Sequence, residues 1–211
     1  MKGTPINIAV MVSGKGRGSN MQAIIDSCKN GVINGNVVCV IGVNNTSPAI
    51  ERAKSQDIKT FVIVPSEFSS QEEYDEKLIS VFSDNNIDLI CLAGYMRPLG
   101  ISVIEKFRNR IMNIHPALIP SFCGKGMYGH HVHEAAIKRG VKVSGATVHF
   151  VNEEYDEGPI ILQTVVNIDD NDDADTLAAK VLEVEHSTYV KAISLYADNK
   201  LEIKDNRVFI K

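Results

Sequence analysis

The sequence predicts a single α/β domain spanning residues 1–211, with a mostly parallel twisted sheet and helices on both faces. Three observations lead to this prediction. Apolar runs of strand length, such as Ile6–Val12, are continuous rather than alternating, which is typical of strands buried on both faces. Segments with helical spacing separate these runs, and a glycine-rich turn follows the first of them. Strands that alternate with helices indicate a parallel sheet covered by helices.

The N-terminal half repeats strand and helix in a regular order. Ser19–Lys29 is predicted to be a helix, and a second helix begins at Ser47-Pro48, because proline is favoured in the first helical turn. Ser70 followed by Glu73 matches a capping box, with apolar residues at helical spacing behind it. Strands are expected in the apolar runs of this half, which are Ile6–Val12, Val37–Val43, Thr60–Val64 and Asp88–Ala93.

The C-terminal half combines short runs with one long helix. Ile101–Phe107 and Val132–Lys138 are predicted to be short helices, and the long helix runs from about Asp175 to Tyr196. The acidic residues from 169 to 175 precede it, where negative charge is favourable near the positive end of a helix dipole. The β-rich runs are Ile111–Ile114, Ala146–Val151 and Ile160–Val166, followed by a terminal hairpin of Leu201–Ile203 and Arg207–Ile210.

The composition indicates a soluble protein that acts on small molecules. Hydrophobic residues make up 44% of the chain, enough for a sizeable core, and the formal net charge of −4 provides no basic field for nucleic acid or an anionic membrane. No secretory leader is evident at the N-terminus, and no apolar run is long enough to span a membrane. Cys39 and Cys91 lie inside apolar strand runs, which favours buried reduced thiols. We therefore expect a cytoplasmic protein without nucleic-acid or membrane partners.

The first turn, Ser13–Asn20, predicts an anion site. Its glycines allow close backbone approach, and the free amides of the following helix form a cradle for phosphate together with Ser19. Lys15 and Arg17 add positive charge. The turn lacks the Gly-Lys-Ser/Thr of a Walker A loop, and Ser19 stands where a dinucleotide fingerprint has its third glycine. A plain glycine-rich turn without a ligand is the alternative.

Two short motifs supply groups suited to acyl transfer. Asn113-Ile114-His115-Pro116 ends one apolar strand, and Asp156-Glu157-Gly158-Pro159 follows another. The carboxyl ends of strands are where open α/β sheets bind ligands. The amide can stabilise an oxyanion, the imidazole can carry a proton near neutral pH, and the carboxylate favours the imidazolium by charge pairing. The alternative is a capped strand end with a solvent-facing histidine and an acidic turn.

With these motifs in place, the chain resembles the phosphoribosylglycinamide formyltransferase family, whose fold is Rossmann-like. The matching segments follow the family's order over nearly the whole chain, and the Asn113/His115/Asp156 set is specific to folate-type formyl transfer. The segments are Val12-Ser13-Gly14, Gly18-Ser19-Asn20, Leu92–Arg97, Met112–Pro120, Thr147–Val151 and Asp156–Gln163.

The resemblance implies an enzyme that transfers a formyl group from 10-formyltetrahydrofolate, a cosubstrate, to the amine of N1-(5-phospho-D-ribosyl)glycinamide in purine biosynthesis, without a metal. Asn113, His115 and Asp156 would be catalytic, and Asp156 would raise the pKa of His115. The implied phosphate and ribose contacts are Gly18, Ser19, Asn20 and Glu185, the last near the glycine amine. The implied folate contacts are Met96, Arg97, Pro98, Leu99, Asn113 and Asn152.

The same resemblance implies that the two halves of the domain have different roles. The N-terminal half would bind the phosphate, and the C-terminal half would bind the folate and carry the catalytic residues. The partners would be small molecules only, and the protein a monomer or weak homodimer. The family also suggests a cis peptide bond between Ile119 and Pro120.

The sequence departs from the family pattern in three places. The first loop is longer than the usual Ser-Gly-x-Gly-Ser-Asn. A longer segment, residues 123–133, replaces a Pro-Gly-Leu-His-Thr-His stretch, so no role is transferred to its histidines, His130, His131 and His133. These histidines lack the partners of a definite metal site. Gln71 stands where many members carry an arginine near the folate's glutamate tail. His149, which alternates with apolar neighbours in a strand, is expected to be a structural histidine.

Two other functions remain as alternatives. The chain could be another folate formyl handler, such as formyltetrahydrofolate deformylase or methionyl-tRNA formyltransferase. The deformylase carries an extra N-terminal domain and the tRNA enzyme a basic C-terminal domain, whereas this acidic chain begins at its first strand. The second alternative is a non-catalytic module that binds a sugar phosphate. On spacing alone, Glu185 could also lie on a solvated helix face.

Overall fold

The structure is a computed structural model that describes residues 3–14, 16–44 and 46–211. The positive charge that Lys15 contributes to the first turn lies outside the described residues. The chain forms two compact units, Met1–Met112 and Asn113–Lys211.

The first unit alternates strands and helices, as predicted. Its strands pair in the order β3-β2-β1-β4, and all three pairings are parallel. The last five residues of β1 and all five of β4 are buried, which indicates that both faces of these strands are covered. The elements are β1 (Ile6–Val12), α1 (Ser19–Lys29), β2 (Gly35–Gly42), α2 (Pro48–Lys54), β3 (Lys59–Val62), a 3-10 turn (Pro65–Glu67), α3 (Gln71–Asp84), β4 (Leu89–Ala93) and α4 (Ile101–Lys106).

The predicted capping box of α3 is only half formed. Ser70 Oγ accepts a hydrogen bond from the Glu73 N–H at 3.3 Å, as expected. The Glu73 carboxylate, however, accepts from the Ser69 N–H at 3.0 Å, one residue earlier than a capping box requires. A complete box begins the longest helix instead, where Asp173 and Thr176 exchange both bonds. The N–H groups in the first turn of a helix need hydrogen-bond acceptors outside the helix, and side chains supply such acceptors in both helices.

The second unit contains an antiparallel strand pair and the longest helix. Strand β5 (Ile111–His115) spans the boundary between the units, and the strands of the second unit follow the order β5-β6-β7. β6 and β7 are antiparallel, so the sheet is mostly parallel, and the predicted α/β fold class is confirmed. Helix α6 packs against both strands. The remaining elements are α5 (His130–Arg139), β6 (Val143–Phe150), β7 (Ile160–Asn167), α6 (Ala174–Ala197) and the hairpin β8 (Leu201–Lys204) and β9 (Arg207–Ile210).

Several smaller predictions can be compared directly with the structure. Cys39 and Cys91 are fully buried, as expected for thiols inside strands. The peptide bond between Ile119 and Pro120 is cis, as the family suggested. Strand β5 includes His115, one residue more than predicted. Among the described residues, no helix combines the length and the apolar character needed to cross a membrane.

Candidate active site

Asn113 and His115 lie two residues apart on β5, so their side chains point to the same face of the sheet. Asn113 is half-buried, and His115 is buried. Pro116 follows directly, where the strand ends. The predicted placement of an amide and an imidazole at a strand's carboxyl end is therefore confirmed.

Asp156 lies in the loop between β6 and β7 and contacts two imidazoles. Its Oδ2 lies 3.6 Å from His115 Nδ1, and its Oδ1 lies 3.6 Å from His149 Nε2. The Gly124 N–H also donates to Oδ2 at 2.9 Å. The backbone of Asp156 is left-handed, with φ of 57°, a conformation that is uncommon outside glycine. This turn directs the carboxylate towards the two histidines, and only 11% of the side chain is exposed.

The charge on Asp156 is stabilised by its neighbours. Burial by itself raises the pKa of this carboxyl group, but contacts with His149, the Gly124 N–H and His115 act in the opposite direction and outweigh it. The resulting pKa lies below the ordinary value for aspartate. Asp156 is therefore ionised at neutral pH and favours a proton on the His115 imidazole beside it.

Opposing influences act on the pKa of His115. Asp156 does raise it, and so does the hydrogen bond with the Phe122 carbonyl, but burial of the ring is the largest influence and lowers it. The net pKa lies below the usual value of 6.5, because the predicted upward effect of Asp156 is present but smaller than the effect of burial. Nε2 lies 2.8 Å from Phe122 O and must carry hydrogen, because a carbonyl oxygen only accepts.

His149 is the residue that sequence reasoning left out of the site. Nδ1 lies 2.8 Å from its neighbour's carbonyl, Phe150 O, and therefore carries hydrogen. In the neutral ring Nε2 is then an acceptor, and it lies 3.2 Å from Asn113 Nδ2. One N–H of the Asn113 amide is held by His149, which leaves the other N–H for a ligand. His149 is near the end of β6, which follows β5 in the sheet, and this position was the available signal.

The segment after β5 is held by two polar side chains. Thr147 Oγ1 donates to Ala117 O at 2.6 Å and accepts from the Ile119 N–H at 3.1 Å. Gln163 Nε2 donates to Ile119 O at 2.9 Å. These bonds fix the path of the chain towards Phe122, whose carbonyl reaches His115. An added Cβ at Gly158 would collide with the Phe150 carbonyl oxygen, so glycine is required where the Asp156 loop returns past β6.

The predicted phosphate residues lie at the start of α1 in the first unit. Gly18 is the N-cap of this helix, with φ of 73°, and Ser19 is its first residue. No side-chain hydrogen bond caps the start of α1 at Gly18. A Cβ added at Gly18 would approach the Ala49 Cβ to 2.7 Å. Glu185 lies on α6 in the second unit. The roles of Gly18, Ser19, Asn20 and Glu185 stay predictions.

This arrangement predicts a specific effect of Gly18→Ala. We expect the Michaelis constant for the phosphorylated substrate to rise about tenfold, because the new methyl group displaces the amides that bind phosphate. Gly31→Ala is the matched control, since Gly31 also has a positive φ but has open space around its missing Cβ. Each variant should lose about 1–2 kcal/mol of stability from the left-handed backbone. Steady-state kinetics of both variants distinguish an effect on phosphate binding from an effect of backbone strain. Equal Michaelis constants for Gly18→Ala and Gly31→Ala would contradict the assignment of Gly18 to the phosphate site.

The predicted folate residues lie in two places. Met96, Arg97, Pro98 and Leu99 lie in the segment after β4 in the first unit, beginning three residues beyond its last residue, and Met96 is half exposed whereas Leu99 is buried. Asn152 begins the loop that carries Asp156, and its Oδ1 accepts from the Glu154 N–H at 3.3 Å. Asn113 belongs to the catalytic set described above. All of these folate contacts stay predictions.

The three histidines of the longer segment lie in the first turns of α5. His130 Nε2 is 3.8 Å from Glu134 and 3.7 Å from Asp175, and His131 Nδ1 is 3.1 Å from Glu134. Within residues 3–14, 16–44 and 46–211, no group of three histidine, cysteine or acidic residues is arranged to hold a metal ion. His133 is buried, and burial together with the charges of His130 and His115 lowers its pKa to about 4.

The lowered pKa of His133 makes stability depend on pH. The unfolded chain binds this proton near pH 6.5 and the folded chain only near pH 4, so acidification between these values favours unfolding. The free energy of unfolding should fall when the pH is lowered from 7.5 to 5. We expect this fall to be about 1–2 kcal/mol smaller in His133→Gln than in the unchanged protein. Urea denaturation at both pH values measures this difference. His131→Gln, at an exposed position, should lose as much stability on acidification as the unchanged protein. A smaller loss in both variants would contradict the prediction.

Comparison with known proteins identifies a family. A family model described as formyl transferase matches residues 6–193. Phosphoribosylglycinamide formyltransferase from Escherichia coli (strain K12) is 38% identical over 205 residues, which cover 97% of this chain and 93% of that protein. The crystal structure of glycinamide ribonucleotide transformylase 1 from Symbiobacterium toebii is 39% identical, with a TM-score of 0.92 over 99% of this chain and 95% of that one.

A formyltetrahydrofolate deformylase from Pseudomonas syringae is also similar in structure, with a TM-score of 0.88. It is only 22% identical, and the match covers 67% of that chain, so this likeness shows the shared fold alone. The E. coli and S. toebii proteins, in contrast, are 38% and 39% identical, and the matches cover 93% and 95% of those proteins. The chain therefore belongs to the formyl transferase family.

Proposed function

We propose that this protein is a phosphoribosylglycinamide formyltransferase. It transfers the formyl group of 10-formyltetrahydrofolate to the amine of N1-(5-phospho-D-ribosyl)glycinamide, a step of purine biosynthesis. The names of the E. coli and S. toebii proteins support the acceptor and the transfer of a formyl group. The observation that carries the proposal is the Asp156 carboxylate lying 3.6 Å from His115 Nδ1, on the strand that also presents Asn113.

The amide of Asn113 stabilises the intermediate. The amine nitrogen attacks the formyl carbon, a carbon–nitrogen bond forms, and the carbonyl oxygen becomes an oxyanion. Asn113 Nδ2 has two N–H groups, and His149 Nε2 accepts one of them at 3.2 Å. The second donates to the oxyanion. Because His149 is itself fixed by Phe150 O, the donor is oriented before the substrate binds, which is the condition for strong oxyanion stabilisation.

His115 and Asp156 carry out the proton transfers of the reaction. The intermediate collapses when the bond from the formyl carbon to N10 of the folate breaks, and that nitrogen must gain a proton as the attacking amine loses one. The low net pKa of His115 favours a neutral ring in the empty site. A developing oxyanion adds negative charge beside the ring and so favours the imidazolium, with Asp156 stabilising that charge. His115 and Asp156 thereby relay the amine's proton towards N10.

The proposed activity also defines the role of the folate, the partners of the protein and its location. The folate is a formyl donor that leaves as tetrahydrofolate, and the chemistry requires no metal. The partners are small molecules, the protein is cytoplasmic, and it is a monomer or a weak homodimer. The uncapped start of α1 supports phosphate binding at Gly18, Ser19 and Asn20.

One assay separates this function from its alternatives. The purified protein is incubated with 10-formyltetrahydrofolate, with and without N1-(5-phospho-D-ribosyl)glycinamide, and the products are analysed by mass spectrometry. We expect the N-formyl product only when both substrates are present. Release of formate without the acceptor would indicate a deformylase instead. Binding of the sugar phosphate without any turnover would indicate a non-catalytic module.

A further inference from the structure

Both ring nitrogens of His115 face groups of the protein. Nε2 lies 2.8 Å from the Phe122 carbonyl oxygen, and Nδ1 lies 3.6 Å from Asp156 Oδ2. Because the carbonyl oxygen can only accept a hydrogen bond, the neutral ring carries its hydrogen on Nε2. Nδ1 is then an unprotonated acceptor, and the carboxylate oxygen that it faces is too distant for a direct hydrogen bond. The neutral ring therefore directs a lone pair towards a negative charge.

Asp156 by itself would select the other tautomer of His115. An ionised carboxylate accepts hydrogen bonds, and such charge-assisted bonds are roughly twice as strong as neutral ones. The hydrogen bond made by one ring nitrogen decides which nitrogen is protonated, so an otherwise free ring would place its hydrogen on Nδ1 and donate it to Asp156. Nδ1 could then accept no proton from a substrate. The contact with the Phe122 carbonyl opposes this tautomer.

The main chain of Phe122 has a conformation that its residue type disfavours. Its φ is 51°, in the left-handed region, where glycine, asparagine and aspartate occur far more often than aromatic residues. A residue with a Cβ pays free energy for this conformation, so the surrounding bonds must hold it. Residues in such conformations cluster at active sites, where the chain has to present a group in a fixed direction. At Phe122 that group is the carbonyl oxygen that reaches His115.

Hydrogen bonds on both sides of Phe122 hold its main chain. On the N-terminal side, the Ser121 N–H donates to Leu118 O at 3.0 Å and closes a turn. On the C-terminal side, the Gly124 N–H donates to Asp156 Oδ2 at 2.9 Å. This short segment therefore contacts both members of the catalytic pair, the imidazole through a carbonyl and the carboxylate through an amide. Their relative orientation is set by the protein before a substrate binds.

We propose that Phe122 is a positioning residue whose main-chain carbonyl keeps the hydrogen of His115 on Nε2, so that Nδ1 is the atom that exchanges protons with the substrates. This inference rests on the proposed function. The acceptor's amine forms its bond to the formyl carbon and loses a proton to Nδ1. When the bond from that carbon to N10 of the folate breaks, the electron pair stays on N10 and Nδ1 returns the proton there. Between these steps, the Phe122 carbonyl and the Asp156 carboxylate each face one N–H of the imidazolium.

Two substitutions at residue 122 change the preference of the main chain without removing the carbonyl. Phe122→Val introduces a β-branched side chain, which disfavours the left-handed region, whereas Phe122→Asn introduces a residue that tolerates it. We expect kcat to fall about 10²-fold in Phe122→Val, as when general acid–base catalysis is lost, with little change in the Michaelis constants. Phe122→Asn should restore most of this turnover. If apolar packing of the aromatic ring mattered instead, valine would be the better replacement, and that order of the two variants would overturn the proposal.

Asn199→Val is the matched control for backbone strain. Asn199 lies in the same unit, in the turn between α6 and the terminal hairpin, where it is exposed and has a φ of 55°. Valine at this position should lower stability about as much as valine at residue 122, while kcat stays at the value of the unchanged protein. An equal loss of kcat in both valine variants would contradict the proposal. Should Phe122→Val fail to fold, Phe122→Thr, which is also β-branched, takes its place.

Nitrogen NMR of isotope-labelled histidine observes the tautomer itself. Spectra are recorded well above pH 6.5, where the ring of His115 is neutral, and His115→Gln identifies its signals. We expect the hydrogen on Nε2 in the unchanged protein and in Phe122→Asn, and on Nδ1 in Phe122→Val. Hydrogen on Nδ1 in the unchanged protein, or on Nε2 in Phe122→Val, would overturn the proposal. Because this measurement requires no turnover, absence of formyl transfer by the unchanged protein would overturn the proposed function instead.

Discussion

Replacing Asp156 with asparagine should reduce turnover about 10²- to 10⁴-fold, the range expected when general acid–base catalysis is lost. Asparagine has nearly the same shape and can still accept the hydrogen bond from the Gly124 N–H, so the loop should keep its path. What is lost is the negative charge 3.6 Å from His115 Nδ1. Without it the imidazolium of His115 is less stable, and proton transfer to the leaving nitrogen becomes slow.

The pH dependence provides a second readout for the same variant. Asp156 raises the pKa of His115 against the larger effect of burial. Removing the carboxylate should therefore shift the titration of His115 to lower pH, which two-dimensional NMR of the imidazole can follow. Glu157→Gln removes a neighbouring exposed charge and is the matched control. A turnover within about threefold of the unchanged protein, against the loss expected for such a catalyst, would remove Asp156 from the mechanism.

Replacing Asn113 with alanine is expected to have the second-largest effect. Loss of one preorganised oxyanion donor costs about 3–4 kcal/mol in activation free energy, which corresponds to a kcat reduced about 10²- to 10³-fold. The Michaelis constant for the ribonucleotide should change little, because the lost bond forms mainly in the transition state. Asn85→Ala is the control, since Asn85 is also a half-buried amide but donates to Val81 O at the end of α3. Single-turnover kinetics measure the chemical step directly.

A double variant examines the link between Asn113 and His149. His149 acts on the oxyanion only by fixing the amide of Asn113, at a distance of 3.2 Å, although it also contacts Asp156. The effect of His149→Ala should therefore be smaller when Asn113 is already alanine than when it is present. Fully multiplicative effects on kcat would show that the two residues act independently. That outcome would contradict the orientation of Asn113 by His149.

The local pattern of the sequence was sufficient for most of the secondary structure. Helix α1 and strand β1 begin and end at the predicted residues, because apolar spacing and the glycine-rich turn are local signals. The stop of regular structure at Pro116, directly after β5, was also predictable, since proline restricts the residue before it. The capping box of α3 was wrong by one residue, because two adjacent serines, Ser69 and Ser70, compete for Glu73 and the sequence does not decide between them.

The catalytic set was predictable as a list of residues but not as an arrangement. Asn113, His115 and Asp156 were identified from motifs and family resemblance, whereas His149 and the Phe122 carbonyl were not. Phe122 enters the site through its main chain, and a main-chain carbonyl has no residue type to recognise. His149 alternates with apolar neighbours, as a structural histidine does, and only the pairing of strands brings it to Asn113.

The sequence alone therefore determined the α/β class, the order of the elements and the residues capable of formyl transfer, because these depend on periodicity and on motifs within short segments. The tertiary structure decided the electrostatics. Asp156 and His115 are far apart in the chain, and the net effect on the pKa of His115 depends on how deeply the ring is buried as well as on the nearby charge. Burial and contacts between distant segments are properties of the folded chain, so the direction of that shift could be learned only from the structure.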